Sequence, residues 1–183
     1  AAAKSQSAII ATNPFPCVRR CYRTRMPSAE SLQVTPLALY IHWPFCVSKC
    51  PYCDFNSHVR ETIDLALWRS SLLADLHHEA GRLPGRQLGS IFFGGGTPSL
   101  MPPQLAADLI ETACALWPPV PDVEITLEAN PGSVEAARFA DLAAAGVNRV
   151  SLGLQSLDDD ALAFLGRAHS VDESLAALNI AQA

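Results

Sequence analysis

The chain has 183 residues, 49% of them hydrophobic, and a formal net charge of −5 at pH 7. That length can bury one sizeable core, so a single domain is the first expectation. The acidic balance argues against a generic nucleic-acid binder, and no run approaches the ~18 consecutive apolar residues of a membrane span.

Charge is distributed unevenly. Residues 1–25 hold Lys4, Arg19, Arg20, Arg23 and Arg25 and no acid. Removing those five from the chain's 13 basic residues leaves 8 against all 18 acids, a formal −10 beyond the leader. An acid-free, arginine-bearing leader suits an organelle transit peptide, which would place the protein in mitochondria. The reading preferred here is a flexible basic extension over residues 1–36, with Met26 as the natural start and a cytoplasmic location. Pro14 and Pro16 interrupt the segment, and no amphipathic helix emerges from it. Cys17 and Cys21 lie in this leader without a third partner and are left out of the candidate metal ligands.

Beyond the leader, short apolar runs alternate with longer amphipathic ones. Leu37–Trp43 (LALYIHW) reads as a first strand, and residues 62–80 have helical spacing, with Leu65, Trp68, Leu72 and Leu76 on one face. Ser90–Phe93 reads as a second strand ending in Gly94-Gly95-Gly96. Pro102-Pro103 open a helix to about Leu116, since Pro suits the first turn. Val123–Leu127 is a third strand, followed by a Pro131-Gly132 turn and a helix from Ser133 through Ala145, which Gly146 stops. Val150–Leu154 is a fourth strand. Helical pieces follow over residues 159–165 and from Val171 to the end, and Asp158-Asp159-Asp160 suits a helix N-terminus better than a calcium loop. Alternating strands and helices imply parallel β-α units. Four such units over residues 37–183 predict an α/β fold, a partial TIM-like (β/α) barrel belonging to a longer protein, with an unpaired strand edge left exposed.

Between the first strand and the first helix lie Cys46, Cys50 and Cys53, spaced C-x3-C-x2-C. Three of the chain's six cysteines within eight residues are too close for a disulfide framework, which points to a reducing compartment. Protein-held 4Fe–4S clusters normally take four thiolates; three leave one iron for a small molecule. A zinc module would want a fourth ligand, and none of the five histidines is spaced to supply it. Cys114, on an apolar helical stretch, reads as a small buried hydrophobe.

In a parallel barrel the chemistry gathers at the C-terminal strand ends. Here those ends carry the cysteine loop, Gly94-Gly95-Gly96-Thr97-Pro98, Glu128 with Asn130, and Gln155. The glycine run is either a tight turn or a close backbone approach to a ligand; it matches neither a phosphate loop nor a dinucleotide fingerprint. Glu128 can receive ammonium or hydroxyl groups, Gln155 can bridge two hydroxyls, and Arg167 can pair with a carboxylate in bidentate fashion.

The C-x3-C-x2-C loop after a first strand, Tyr52 before its third cysteine, and GGGTP after the second strand together resemble the radical S-adenosylmethionine enzymes. The strings YIHWPFCVSKCPYCDFN, EANP and GVNRVSLGLQS narrow the resemblance, from about Leu37 to at least His169, to the coproporphyrinogen dehydrogenase-like branch. The resemblance implies a cluster on Cys46, Cys50 and Cys53 whose fourth iron is chelated by S-adenosylmethionine. It places Tyr40 and Tyr52 along the cofactor pocket and Gly95, Gly96 and Thr97 at the methionine end. Glu128, Gln155 and Arg167 fall at further cofactor contacts. An electron from the cluster would then cleave the sulfonium C–S bond to give a deoxyadenosyl radical. The oxygen-independent coproporphyrinogen III dehydrogenases carry a further cysteine where this chain has Phe55. The C-D-F-N form instead resembles HemW-type haem chaperones. That implies haem as cargo, a haem-acceptor protein of respiration and an electron donor as partners, and no assigned catalytic residue; radical oxidative decarboxylation of coproporphyrinogen III is the alternative.

Overall fold

The computed structural model describes residues 6–9 and 36–183; Cys17, Cys21 and the leader arginines lie outside them. The elements run β1 (Gln6–Ile9), β2 (Leu37–Trp43), β3 (Phe45–Cys46), β4 (His58–Val59), α1 (Leu65–Arg82) and β5 (Leu88–Gly95). A 3-10 turn at Pro98–Leu100 follows, then α2 (Pro103–Leu116), β6 (Pro119–Ala129), α3 (Ser133–Ala136), α4 (Phe139–Ala144), β7 (Arg149–Gln155), α5 (Asp159–Phe164) and α6 (Val171–Gln182). The main sheet has the order β1-β7-β6-β5-β2, in which β2, β5, β6 and β7 are parallel. This is the expected set of four β-α strands, arranged as an open, unclosed part of a barrel.

Alternation along each strand sorts the side chains into two faces. Ile41, Trp43, Ile91, Phe93, Ile125 and Leu127 are buried and join Leu105, Leu109 and Ile110 of α2 in one apolar cluster. On the opposite, concave face the register aligns Tyr40, Phe92, Thr126 and Arg149. Tyr40 stacks on Phe92 with ring centroids 6.0 Å apart, and Arg149 Nη1 donates to Thr126 Oγ1 at 3.0 Å. The core is therefore shared between sheet and outer helices, and the concave face is free to be polar.

The helix ends follow the local chemistry. Asp64 caps α1 by accepting from Leu67 N at 3.0 Å, so the helix starts three residues later than periodicity suggests. Asp158 accepts from Ala161 N, the helix-terminus role expected of the acidic run. Ser170 and Glu173 form a capping box on α6. The single helix predicted for 133–145 is instead two, α3 and α4. At the break, Arg138 turns its guanidinium onto the carbonyl oxygens of Leu100 (3.2 Å) and Met101 (3.0 Å), which locks the chain to the 3-10 turn. Beyond the sequence expectation, β1 pairs antiparallel with β7, Gln6 opposite Gln155 and Ile9 opposite Ser151. β1 lies on the side of β7 away from β6.

Leu127 is fully buried on β6 and Phe164 is 89% exposed. Leu127→Ala should cost about 2–5 kcal/mol of unfolding free energy, read from urea midpoints, whereas Phe164→Ala should change it by less than ~0.5 kcal/mol.

Candidate functional site

The cysteine loop is closed at its base. Phe45 and Cys46 pair with His58 and Val59 in a short parallel ladder, and His58 N donates to Pro44 O at 2.7 Å. The loop is also clipped to the glycine run: Gly96 N donates to Trp43 O at 2.7 Å and Thr97 N to Phe45 O at 2.9 Å. A Cβ on Gly96 would lie 2.7 Å from the Phe45 carbonyl oxygen, and one on Gly95, whose φ is +118°, would lie 2.6 Å from His42 Cε1. Gly96 is required by the close approach of two backbones, and Gly95 by its positive φ and the His42 ring against it.

An open cavity of 450 Å³ lies above the C-terminal strand ends, within the ordinary range for small-molecule sites. It is lined by Cys46, Cys50, Cys53, Tyr52, Gly95, Gly96, Thr97, Glu128, Gln155 and Arg167, together with Phe55, Asn130 and His169. Of the residues that the resemblance assigns to the cluster or the cofactor, Tyr40 alone is not part of this lining. It stands on the concave sheet face, with its hydroxyl 3.5 Å from His42 Nδ1, and His42 Nε2 donates in turn to the Asn56 carbonyl at 3.0 Å. Gln155 holds a left-handed backbone, φ +67°, a strain of about 1 kcal/mol or more in a non-glycine residue that tends to gather at functional sites.

Elements distant in sequence converge on the cysteines. Thr97 Oγ1 donates to Cys46 Sγ at 3.4 Å, Arg167 Nη1 to Cys50 Sγ at 3.2 Å, and Cys53 Sγ lies 3.7 Å from Ser57 Oγ. Arg167 Nη1 also reaches Tyr52 Oη at 3.3 Å. Among the described residues Arg167 meets no carboxylate, and its Nε–H is buried without an acceptor.

Electrostatics follow from burial. Desolvation pushes the Glu128 carboxyl above its ordinary value, against the pull of the Gly95 N–H, which donates to Oε2 at 3.3 Å. Burial, and then the Glu128 charge, raise the Tyr40 phenol. Burial raises the Tyr52 phenol too, opposed by Arg167. His169, its Nε2 donating to Leu154 O at 3.1 Å, is held below its ordinary value by burial. Cys114 is half-buried away from the cavity, its thiol raised by burial.

The donor set fits an iron–sulfur cluster with an open iron. All three cysteines are free thiols facing one cavity. Among the described residues no three ligating groups converge on a single point as a mononuclear ion requires; a cube spreads its thiolates over different irons. The orphaned Arg167 Nε and the glycine cradle beside the thiols leave room and an unmet donor for an anionic, cluster-bound ligand. The Radical SAM superfamily model matches residues 40–183. The chain belongs to the radical SAM superfamily.

Among its relatives, the haem chaperone HemW of Escherichia coli K12 is 46% identical over 151 residues, covering 82% of this chain and 40% of that protein. Radical S-adenosyl methionine domain-containing protein 1, mitochondrial, of Bos taurus is 47% identical over 146 residues, covering 79% and 33%. The structure of E. coli coproporphyrinogen III oxidase (HemN), a radical SAM enzyme, superposes with a TM-score of 0.72 at 28% identity, covering 80% of this chain and 34% of that one. The chain thus spans about two-fifths of the length of its HemW relatives. No helix among the described residues is long and apolar enough to cross a membrane.

The sequence points to the three cysteines and to most of the residues that line the cavity with them, but not to two further groups. It gives Asn130 only as a polar strand end, although an amide directly before Pro131-Gly132 is well placed to turn inward. Ser57, buried beside Cys53, carries no signal beyond its distance from the motif.

Two outcomes follow from this geometry. Cys46→Ala, Cys50→Ala or Cys53→Ala should each abolish the visible charge-transfer absorption of anaerobically reconstituted protein, while Cys114→Ala should retain it. A carboxyl raised on folding lowers stability as pH climbs through its unfolded value and leaves that penalty in place above its folded value. Cofactor-free Glu128→Gln should therefore have a higher urea midpoint than the parent at neutral pH. The gap should close as pH falls below the ordinary value of 4.5.

Proposed function

We propose that this chain is the cluster- and cofactor-binding part of a haem chaperone that passes haem to an acceptor protein of respiration. The observation that carries the reading is the 46% identity to HemW over 82% of the chain. It is supported by Phe55, which lines the cavity, 65% exposed, where the porphyrinogen dehydrogenases carry a further cysteine. Cys46, Cys50 and Cys53 would hold a 4Fe–4S cluster, and S-adenosylmethionine would occupy the cavity against Gly95, Gly96, Thr97, Glu128, Gln155 and Arg167. When bound, the cluster supplies an electron, taken from a donor protein, and a Lewis-acidic iron for the cofactor's methionine end.

The chain's own groups orient that cofactor. The glycine run offers a wall with no side chain in the way. Arg167 brings a fixed cation and an unpaired N–H to a carboxylate. Glu128, its carboxyl raised by burial, and the Gln155 amide would face ammonium or hydroxyl groups. No side chain is assigned as a catalytic acid or base. A protein that keeps an open cluster needs a reducing compartment, and we place it in the cytoplasm.

The second reading, oxidative decarboxylation of coproporphyrinogen III, is favoured by the structural likeness to HemN. Titration of haem into the intact, reconstituted protein separates the two. Saturable, stoichiometric uptake with transfer to an apo-cytochrome is expected, and failure to bind haem would sink the chaperone reading. Formation of protoporphyrinogen from coproporphyrinogen III, with reductant and cofactor present, would establish the second instead.

A further inference from the structure

Asn130 lies just past the end of β6, and its carboxamide bridges two groups brought together from opposite sides of the cavity. Its Oδ1 accepts from Arg167 Nη2 at 2.6 Å, and its Nδ2 donates to Thr97 Oγ1 at 3.3 Å. Each of those partners then donates to a different cysteine, Thr97 to Cys46 Sγ and Arg167 to Cys50 Sγ. One amide thus sits behind the donors of two cluster ligands that arrive from different strand ends.

The guanidinium itself is almost fully committed. Nη1 serves Cys50 and Tyr52, Nη2 serves Asn130 and the Gly153 carbonyl at 3.2 Å, and the buried Nε–H alone lacks an acceptor. A long arginine side chain would rotate to satisfy a buried orphan donor unless the rest of its fork were held. The Asn130 bond is the shortest of the four and is charge-assisted. A neutral amide is suited to holding the guanidinium because it fixes the fork without cancelling the charge, whereas a carboxylate would neutralise Arg167 and repel an incoming anion.

We propose that Asn130 is a positioning residue that holds Arg167 for the carboxylate end of the bound sulfonium cofactor and aligns the donors on Cys46 and Cys50. The inference rests on the cluster-and-cofactor reading above, not on haem delivery. It has two separable consequences. Cofactor affinity depends on Asn130 through the carboxylate, and the cluster potential depends on it through donors to sulfur, which raise that potential.

The test uses the intact, anaerobically reconstituted protein. Dissociation constants for S-adenosylmethionine and for its decarboxylated form are measured on the parent, Asn130→Ala, Asn130→Asp, Arg167→Ala and the Asn130→Ala/Arg167→Ala double variant. The cluster's midpoint potential is followed in each. Asn130→Ala should weaken S-adenosylmethionine about tenfold, the worth of one hydrogen bond to a charged group, and the decarboxylated form less than about twofold. Asn130→Asp, isosteric and so informative even where the alanine variant misfolds, should show the same selectivity with a larger loss. Adding Asn130→Ala to Arg167→Ala should change affinity little, because residues acting through one another are non-additive. The midpoint of Asn130→Ala should move to a more negative potential.

Equal losses for both ligands, additive losses in the double variant, or variants indistinguishable from the parent would overturn the inference while leaving the proposed function intact. A parent that builds no cluster or binds no cofactor would overturn both.

Discussion

The site depends on the close approach of two backbones, the glycine run after β5 and the chain leaving β2. Gly96 and Thr97 donate to Trp43 and Phe45, and no side chain larger than hydrogen fits at Gly96, where a Cβ would meet three backbone atoms within 2.9 Å. That contact fixes where the cysteine loop begins. It also brings the Thr97 hydroxyl to Cys46, 51 residues earlier in sequence. A bulky residue in the run would push the loop off the sheet and separate the thiols from the strand ends that carry the rest of the cavity.

Parallel pairing supplies the second condition. Because β2, β5, β6 and β7 run in one direction, their C-terminal ends, with Gly95, Glu128 and Gln155, open on one side. The aligned row of Tyr40, Phe92, Thr126 and Arg149 lies on the same face as Glu128, two residues back along the strands from His42, Gly94, Glu128 and Ser151. The outer helices take the apolar side chains, so the concave face can hold a carboxylate. Glu128 bears the cost, with its carboxyl raised by lost hydration and only the Gly95 N–H in compensation. A ligand presenting hydroxyl or ammonium groups would relieve that desolvation, which cofactor-free protein must carry.

Much of this is legible in sequence because strong local signals coincide with it. The period-2 run LALYIHW falls on β2 with both ends correct, and the strand ends named from apolar runs bring Glu128, Gln155 and the glycines to one cavity. What escapes is non-local or purely geometric. β1 has no signal of its own, being four residues that pair with β7 across a long stretch of sequence. The β3–β4 ladder is two residues on each side, too short for any pattern. The split of the 133–145 helix follows from where the Arg138 guanidinium finds carbonyl acceptors 37 and 38 residues earlier, which helical periodicity does not encode. Arg167 is expected from its chemistry to meet a carboxylate, yet its partners among the described residues are Cys50, Tyr52, Asn130 and Gly153.

The loop's own closure bears on how a cluster is taken up. A segment that first ordered on meeting iron would lose conformational entropy at that moment, about 1–2 kcal/mol per residue. Here Phe45 and Cys46 are already paired with His58 and Val59, Cys53 N is bonded to Cys50 O at 3.0 Å, and Lys49 and Ser57 tie the two halves across the loop. On the far side Gly166, at φ +67°, packs so close to Pro51 that a Cβ there would fall 2.9 Å from the ring. The loop is therefore braced by the sheet on one flank and by the segment after α5 on the other.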